Sequence, residues 1–272
     1  MDRLEKALQK AREQREAAFV AQDAAAAATL AAAAATPAPP PPPAAKSRKV
    51  AVGETTLERH RIVARMTRSP NADVFRILRT KVLQHLTNAK LTTIAVTSPN
   101  YGDGKTLVAV NLALSLALDV KQTVLLVDLD LRDPTVHRCL GIEPEVGLSD
   151  YFVDDAPIAQ CMVNPGIDRL VVLPLRQPIA NSSEALGTPK MANLARELKT
   201  RYSNRIVIYD MPPLLTQDDV IAFLPNVDAV LLVVRDGATM INDVRQCMHS
   251  LAGTNLIGTV LNDSTERMSG SE

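Results

Sequence analysis

The sequence predicts one α/β domain, a parallel sheet with helices on both faces, preceded by an N-terminal helix and an Ala/Pro spacer. Three observations predict it. From about residue 70, short apolar runs alternate with helix-length stretches. Those runs are apolar on both faces, as strands buried between two helical layers must be. A strand, a glycine-bearing loop and a helix follow one another at 93–117, at the kind of turn where open α/β sheets bind ligands.

The elements follow in chain order. Residues 1–22 form an amphipathic helix over 2–20, with Leu4, Leu8 and Ala11 at i, i+4 and i+7 and charges on the other faces. So narrow a stripe does not sustain a helix alone, which makes it a frayed tail or a docking helix. Residues 23–47 are a linker. Positions 21–45 hold 14 Ala and 6 Pro. Ala buries little and proline continues neither a helix nor a ladder, so this apolar excess is not core. A basic connecting segment follows at 48–69. The span 46–68 carries seven positive and two negative side chains, against 18 and 23 in 69–272.

The α/β domain is expected over 70–264, with 265–272 a flexible tail. Pro70 and Asn71 set a helix start, with Asn71 as the cap, and Val74, Leu78, Val82 and Leu86 mark one face. Strands are predicted at Leu91–Thr97, Thr123–Asp128, Leu170–Leu173, Arg205–Asp210, Ala229–Val234 and Leu256–Leu261. Helices are predicted at Lys105–Leu118, Pro189–Tyr202 and Met240–Leu251.

Composition excludes several classes. Thirty basic side chains balance thirty acidic ones, so no basic footprint for nucleic acid exists. No run of about 18 strongly apolar residues is present, so no membrane-spanning helix is expected. The charged start MDRLEKALQK is unlike a signal peptide. Cys139, Cys161 and Cys247 lie far apart without metal spacing, as expected of reduced thiols in a cytoplasmic protein.

The chemistry concentrates in TSPNYGDGKT, residues 97–106. Gly102 and Gly104 let backbone N–H groups curl around phosphate, and the helix N-terminus adds partial positive charge. Lys105 is placed to reach the β/γ-phosphates and the Thr106 hydroxyl to ligate Mg²⁺. The strict phosphate-loop pattern fails at one position, where Pro99 replaces the first Gly. A second strand ends at Asp128 and continues as D-x-D-x-R through Asp130 and Arg132. A third ends at Asp210 before Met-Pro-Pro. Carboxylates at such strand ends hold Mg²⁺ or accept a proton from a hydroxyl, although any one of them alone could be a helix cap. Asn262, at the end of the last strand, reads by itself as a turn former.

Together these motifs resemble the bacterial tyrosine kinases of capsule and exopolysaccharide export, a branch of the MinD/ParA-like P-loop ATPases. The resemblance covers about residues 68–264: TSPNYGDGKT, VLLVDLDLRDPTVH with GLSDYF, NSSEAL at 181–186, YDMPPLL and VLNDS. The leader MDRLEKALQKAREQR is similar to that of exosortase-associated members. The resemblance implies ATP and Mg²⁺ as cofactors. It implies nucleotide contacts from Gly102, Asp103, Gly104, Lys105, Thr106, Leu107 and Asn262, the last beside adenine. It implies metal binding by Thr106, Asp128 and Asp210. Lys105, Asp128, Asp130 and Asp210 would be the catalytic set, with Asp128 as the base for the tyrosine hydroxyl. Asp73, Arg76 and Arg79 resemble the family's self-association helix, with Asp in place of Glu. The implied partner is the cytosolic tail of a membrane polysaccharide co-polymerase, a chain-length protein. That partner would recruit the chain to the inner face of the membrane, where the basic segment would lie near anionic lipid or the partner's tail.

Two other readings stand beside the kinase. The family's C-terminal tyrosine cluster has no counterpart among Tyr101, Tyr151, Tyr202 and Tyr209, of which Tyr151 and Tyr202 are expected to be exposed. An ATP-dependent regulatory switch without autophosphorylation is therefore one alternative. A MinD/ParA-like positioning ATPase is the other. Asn100 stands where such proteins carry a signature Lys, and the acidic balance of 69–272 disfavours DNA binding.

Overall fold

The computed structural model describes residues 48–66, 69–119, 122–202 and 204–265. The expected N-terminal helix, the whole Ala/Pro linker and residues 266–272 of the tail lie outside the described residues.

The strands are β1 (Arg48–Lys49), β2 (Thr93–Thr97), β3 (Thr123–Asp128), β4 (Val163–Asn164), β5 (Leu170–Leu173), β6 (Arg205–Asp210), β7 (Ala229–Arg235) and β8 (Leu256–Asn262). They form one sheet in the order β1-β4-β5-β3-β6-β2-β7-β8. All neighbours run parallel except β4 and β5, which are antiparallel. The sheet is thus mixed at one edge, a departure from the expected parallel sheet. The reason is length: only residues 165–169 join β4 to β5, too few for the crossover that parallel strands need.

The six expected strands all form. β2 begins at Thr93 rather than Leu91, because the Thr92 N–H is taken by the Asp228 carboxylate at 3.0 Å. Side chains alternate faces along each strand, and two cores result. Ile94, Val96, Val124, Leu126, Ile206 and Ile208 pack on one side. Ala95, Leu125, Val127, Val207 and Tyr209 pack on the other.

Helices α1 (Glu54–Arg59), α2 (Pro70–Ala89) and α3 (Lys105–Ala117) cover the first side, together with the short helix at Val136–Leu140. α3 is buried at every residue except Leu107, as its apolar sequence requires. α2 starts one residue before the expected cap. Ser69 is the N-cap and Pro70 the first helical residue, where its fixed φ fits, so Asn71 lies exposed inside the first turn and does not cap. The remaining helices are α4 (Val136–Leu140), α5 (Leu148–Val153), α6 (Ile158–Cys161), α7 (Ser182–Leu186), α8 (Pro189–Thr200), α9 (Asp219–Phe223) and α10 (Ile241–Ser250). α8 and α10 are the expected third and fourth long helices, trimmed at their ends. Thr188 caps α8 by accepting the Met191 N–H at 3.2 Å.

The basic segment is not a free connector. β1 joins the sheet edge, Leu57, Ile62 and Ala64 are buried, and Arg48 pairs with Glu145 at 2.6 Å. Asn111 of α3 holds the segment in place. Its Oδ1 accepts from Val63 N at 2.8 Å and Ala64 N at 3.1 Å, and its Nδ2 donates to Arg61 O at 3.2 Å and Leu107 O at 3.0 Å. Arg59, Arg61 and Arg65 remain exposed.

Candidate active site

The site forms where β2, β3 and β6 end side by side. Asp128 and Asp210 are register partners on neighbouring strands, so two carboxylates project from adjacent strand ends. Between β2 and α3 the chain turns through Gly102 and Gly104, with φ of 81° and 97°. Both values lie in the left-handed region that glycine occupies without strain. A Cβ on Gly104 would sit 2.0 Å from Asn262 Nδ2, whereas one on Gly102 would meet nothing within 4 Å. The loop is braced from within. Asp103 is buried and accepts from Asn100 N and from Thr239 Oγ1, both at 2.8 Å. Asn262 Nδ2 donates to Asp103 O at 2.9 Å.

Lys105 and Thr106 open α3, so their side chains lie where the helix dipole is positive. Lys105 Nζ lies 2.8 Å from Asp130 Oδ2. Burial alone would lower the Lys105 pKa, but the charges of Asp210, Asp130 and Asp128 prevail and raise it. Thr106 Oγ1 donates to Asp210 Oδ2 at 2.7 Å and receives Thr135 Oγ1 at 3.0 Å. Asp128 Oδ2 accepts from Thr135 N at 3.1 Å and Val136 N at 3.0 Å, which satisfies the first N–H groups of α4. One oxygen of Asp128 is therefore a helix cap while the other is left for chemistry. Asp130 Oδ1 accepts from Asp133 N at 3.2 Å.

Charge is concentrated here. Burial, then the Asp210 charge, holds the Asp128 carboxyl well above the usual carboxylate range. Burial pushes Asp210 up to about 6, against the opposing effects of Lys105 and Thr106. Asp128 Oδ1 and Asp210 Oδ1 are buried without a hydrogen-bond partner. Two unsatisfied carboxylate oxygens beside a threonine hydroxyl form an oxygen donor set suited to a hard divalent cation such as Mg²⁺. The open space at Gly102 and the helix N-terminus suit phosphate.

The expected residues Gly102, Asp103, Gly104, Lys105, Thr106, Asp128, Asp130, Asp210 and Asn262 thus meet at the C-terminal ends of the strands. Leu107 is half-buried, packs on the core and offers its carbonyl to Asn111. Arg132 of the D-x-D-x-R run turns toward α7 and α9: its Nε donates to Ser182 Oγ at 2.7 Å and its Nη2 to Asp219 Oδ1 at 3.4 Å. That contact ties the NSSEAL segment to the site. Asp73, Arg76 and Arg79 lie apart, on α2. Arg76 pairs with Asp73 and donates to Met66 O at 3.2 Å, and Arg79 donates to Ser115 O at 3.0 Å.

The tyrosines differ from expectation. Tyr101 is the exposed one, at 51%, and its phenol is bonded to Gln217. Tyr151 and Tyr202 are half-buried beneath Lys190 and Arg205, and Tyr209 is buried. A cation over a ring shields its face, which is why these two are not free. Thr135, Thr239 and Gln217 were not singled out from the sequence. A Thr before an apolar helix start is a legible cap signal, and it marks Thr135. The other two come from loops far away in sequence and carry no local signal.

The comparisons agree with this geometry. The model of the AAA domain family matches residues 91–257. Tyrosine-protein kinase YwqD of Bacillus subtilis is 31% identical over 209 residues, 76% of this chain and 86% of YwqD. The chain belongs to the bacterial tyrosine kinases. A second relative, the succinoglycan biosynthesis transport protein ExoP of Rhizobium meliloti, is 31% identical over 207 residues. The match covers 74% of this chain but 26% of ExoP, so the chain spans about a quarter of that larger relative. Among solved structures, the kinase domain of Escherichia coli tyrosine kinase ETK superposes with a TM-score of 0.70 at 26% identity. That match covers 83% of this chain and 91% of the ETK domain. In this bacterial tyrosine kinase, then, the glycine loop and the strand-end carboxylates lie together at the C-terminal ends of β2, β3 and β6. No helix among the described residues is long and apolar enough to cross a membrane.

Proposed function

We propose that this chain is an ATP-dependent protein-tyrosine kinase of exopolysaccharide or capsule polymerisation and export. The observation that carries the reading is the convergence of Lys105, Thr106, Asp128, Asp130 and Asp210 at the C-terminal ends of β2, β3 and β6. Phosphoryl transfer asks mainly for positioning and charge neutralisation, and this set supplies both. Lys105 draws the terminal phosphates toward the loop. Asp128, through Oδ1, accepts the proton of the tyrosine hydroxyl. Asp130 holds Lys105 in place. Thr106, Asp128 and Asp210 would hold Mg²⁺, which when bound neutralises charge on the transferred phosphoryl group. Asn262, fixed against the loop by its bond to Asp103 O, lies on the adenine side.

The partner is a membrane chain-length protein whose cytosolic tail recruits the kinase to the inner face of the membrane. The similarity to ExoP, a succinoglycan biosynthesis transport protein, supports that pathway. Self-association runs through the α2 face bearing Asp73, Arg76 and Arg79, where Val74 and Ile77 are also exposed.

Radiolabelled γ-phosphate supplied as MgATP should appear on tyrosine in the presence of the partner's tail. Lys105→Met or Asp128→Ala should abolish that transfer. Absence of phosphotyrosine in the parent protein would sink the reading.

A further inference from the structure

The chain has four tyrosines of its own: Tyr101, Tyr151, Tyr202 and Tyr209. Three of them are shielded. Tyr209 is fully buried in β6. Lys190 Nζ lies 4.7 Å from the centre of the Tyr151 ring, and the Arg205 guanidinium 3.9 Å from that of Tyr202. Tyr101 is 51% exposed, on the outer bend of the phosphate loop beside the equally exposed Gly102. No atom within 4 Å crowds the place of a Cβ on Gly102, so the bend is open. The backbone on either side is held. Asn100 N donates to Asp103 Oδ2 at 2.8 Å, and Asn100 Nδ2 to Asp243 Oδ2 at 2.7 Å. The Tyr101 side chain is held more lightly, with its phenolic oxygen accepting from Gln217 Nε2. Because the oxygen accepts in that bond, the phenolic proton stays available for removal. An exposed side chain leaves such a bond by rotamer change within nanoseconds.

We propose that Tyr101 is a phosphorylation site of this chain, modified by a second copy of it, and that the modification closes the nucleotide site to ATP. The assignment rests on the kinase reading above. Phosphoryl transfer places the attacking and leaving oxygens in line, on opposite sides of the phosphorus. A loop that grips the β- and γ-phosphates lies on the leaving side, so Tyr101, fixed in that loop, cannot attack the ATP it helps to enclose. The Tyr101 of another copy enters from outside. Its phenolic proton passes to Asp128 of the copy that holds ATP, and its phenolic oxygen bonds to the γ-phosphorus. The bond from that phosphorus to the β–γ bridging oxygen breaks, and ADP leaves with the electron pair. The product carries a charge of about −1.5 to −2 on the bend that must receive a triphosphate. Gln217 Nε2, already a donor there, serves the phosphate oxygens as it served the phenol. Like charges then face each other across the loop, and ATP is repelled. A copy so modified stops working as a kinase, which makes the reaction limit itself.

The test uses the full chain with MgATP and a Glu–Tyr copolymer. Mass spectrometry of the incubated parent should place phosphate on Tyr101. A tagged Lys105→Met chain, unable to transfer phosphate itself, should become labelled when mixed with untagged parent. The same tagged chain carrying Tyr101→Phe as well should not. After removal of nucleotide, the modified parent should bind a fluorescent ATP analogue roughly tenfold or more weakly than the unmodified protein, the scale of a like-charge contact. Treatment with a tyrosine phosphatase should restore the affinity. Labelled copolymer together with phosphate on another tyrosine of the chain, or on none, overturns the inference and leaves the kinase reading standing. Equal labelling of the two tagged chains does the same, and an unchanged analogue affinity overturns the closure. The map of the parent needs no variant, so a misfolded acceptor does not blunt the test. A parent that labels neither itself nor the copolymer overturns the kinase reading, and this site with it.

Discussion

Gly104 is required twice over, by its φ of 97° and by the Asn262 amide that occupies the space a Cβ would take. Gly104→Ala should therefore lower stability by about 1–3 kcal/mol, the scale of backbone strain at such positions. It should also remove the melting-temperature rise that MgATP produces. Adding Asn262→Ala relieves the contact but not the φ, so the double variant should recover only part of the stability; full recovery would show that strain is unimportant here. A different residue-scale effect sits at Asp150. Arg176 grips its carboxylate at 2.6 Å and 3.1 Å, and Gly147 N donates to it at 2.8 Å. The Arg176 hydrogen bonds foremost hold its pKa down at about 2, against 3.8 ordinarily. A depressed carboxylate stabilises the fold above its ordinary pKa, and that contribution is lost as pH falls from about 4 through 2. Asp150→Asn should thus lower the melting temperature at pH 7, with the deficit shrinking toward pH 2. A deficit independent of pH would contradict the ion-pair account.

At the scale of elements, the phosphate-loop helix and the N-terminal segment behave as one piece because of Asn111. Its side chain satisfies two amides and two carbonyls, and one of those amides, Ala64 N, belongs to a buried residue. Asn111→Ala leaves these groups without partners and should destabilise the protein by about 2–3 kcal/mol. Hydrogen exchange at Val63 and Ala64 should rise well before exchange in β2 or β6; equal protection would disprove the coupling. The long elements around this point were legible in the sequence. α3 shows as an unbroken apolar run after Gly-Lys-Thr, and β3 and β6 as apolar runs ending in Asp. The short ones were not. α4 has five residues, α6 four, and β1 and β4 two each, fewer than a period needs to declare itself. α1 and β1 were hidden for another reason. Their charges made residues 48–69 read as a linker, yet Leu57 and Ile62 carry the burial.

For the molecule as a whole, the charged cluster at the strand ends is a region where stability yields to function. The sequence displayed the charged residues themselves, since strand-terminal Asp and Gly-Lys-Thr are local patterns. It did not display their partners. Thr135 on Thr106, Thr239 on Asp103 and Gln217 on Tyr101 join segments that meet only through the sheet order. Those contacts close the site and bury Asp128 and Asp210 together on neighbouring strands, with one oxygen of each unsatisfied. Such an arrangement strains the ligand-free fold. The sign follows from Asp210, whose pKa is raised to about 6 from 3.8, chiefly by burial. A raised carboxylate favours the fold while protonated, and that stability is lost as pH climbs from about 4 through 6. At pH 7 the charge is present and works against folding. Asp210→Asn keeps an acceptor for Thr106 and removes the charge. The ligand-free variant should therefore melt higher than the parent at pH 7, by roughly 2–4 °C for each kcal/mol relieved. The gain should vanish below about pH 4, where the parent is protonated as well. The same variant should lose the further stabilisation that MgATP gives the parent, because the oxygen freed for the cation carries no charge. Thermal unfolding across pH, with and without MgATP, reads both effects. A variant less stable than the parent at pH 7 would show that Asp210 is held for the fold rather than for the nucleotide.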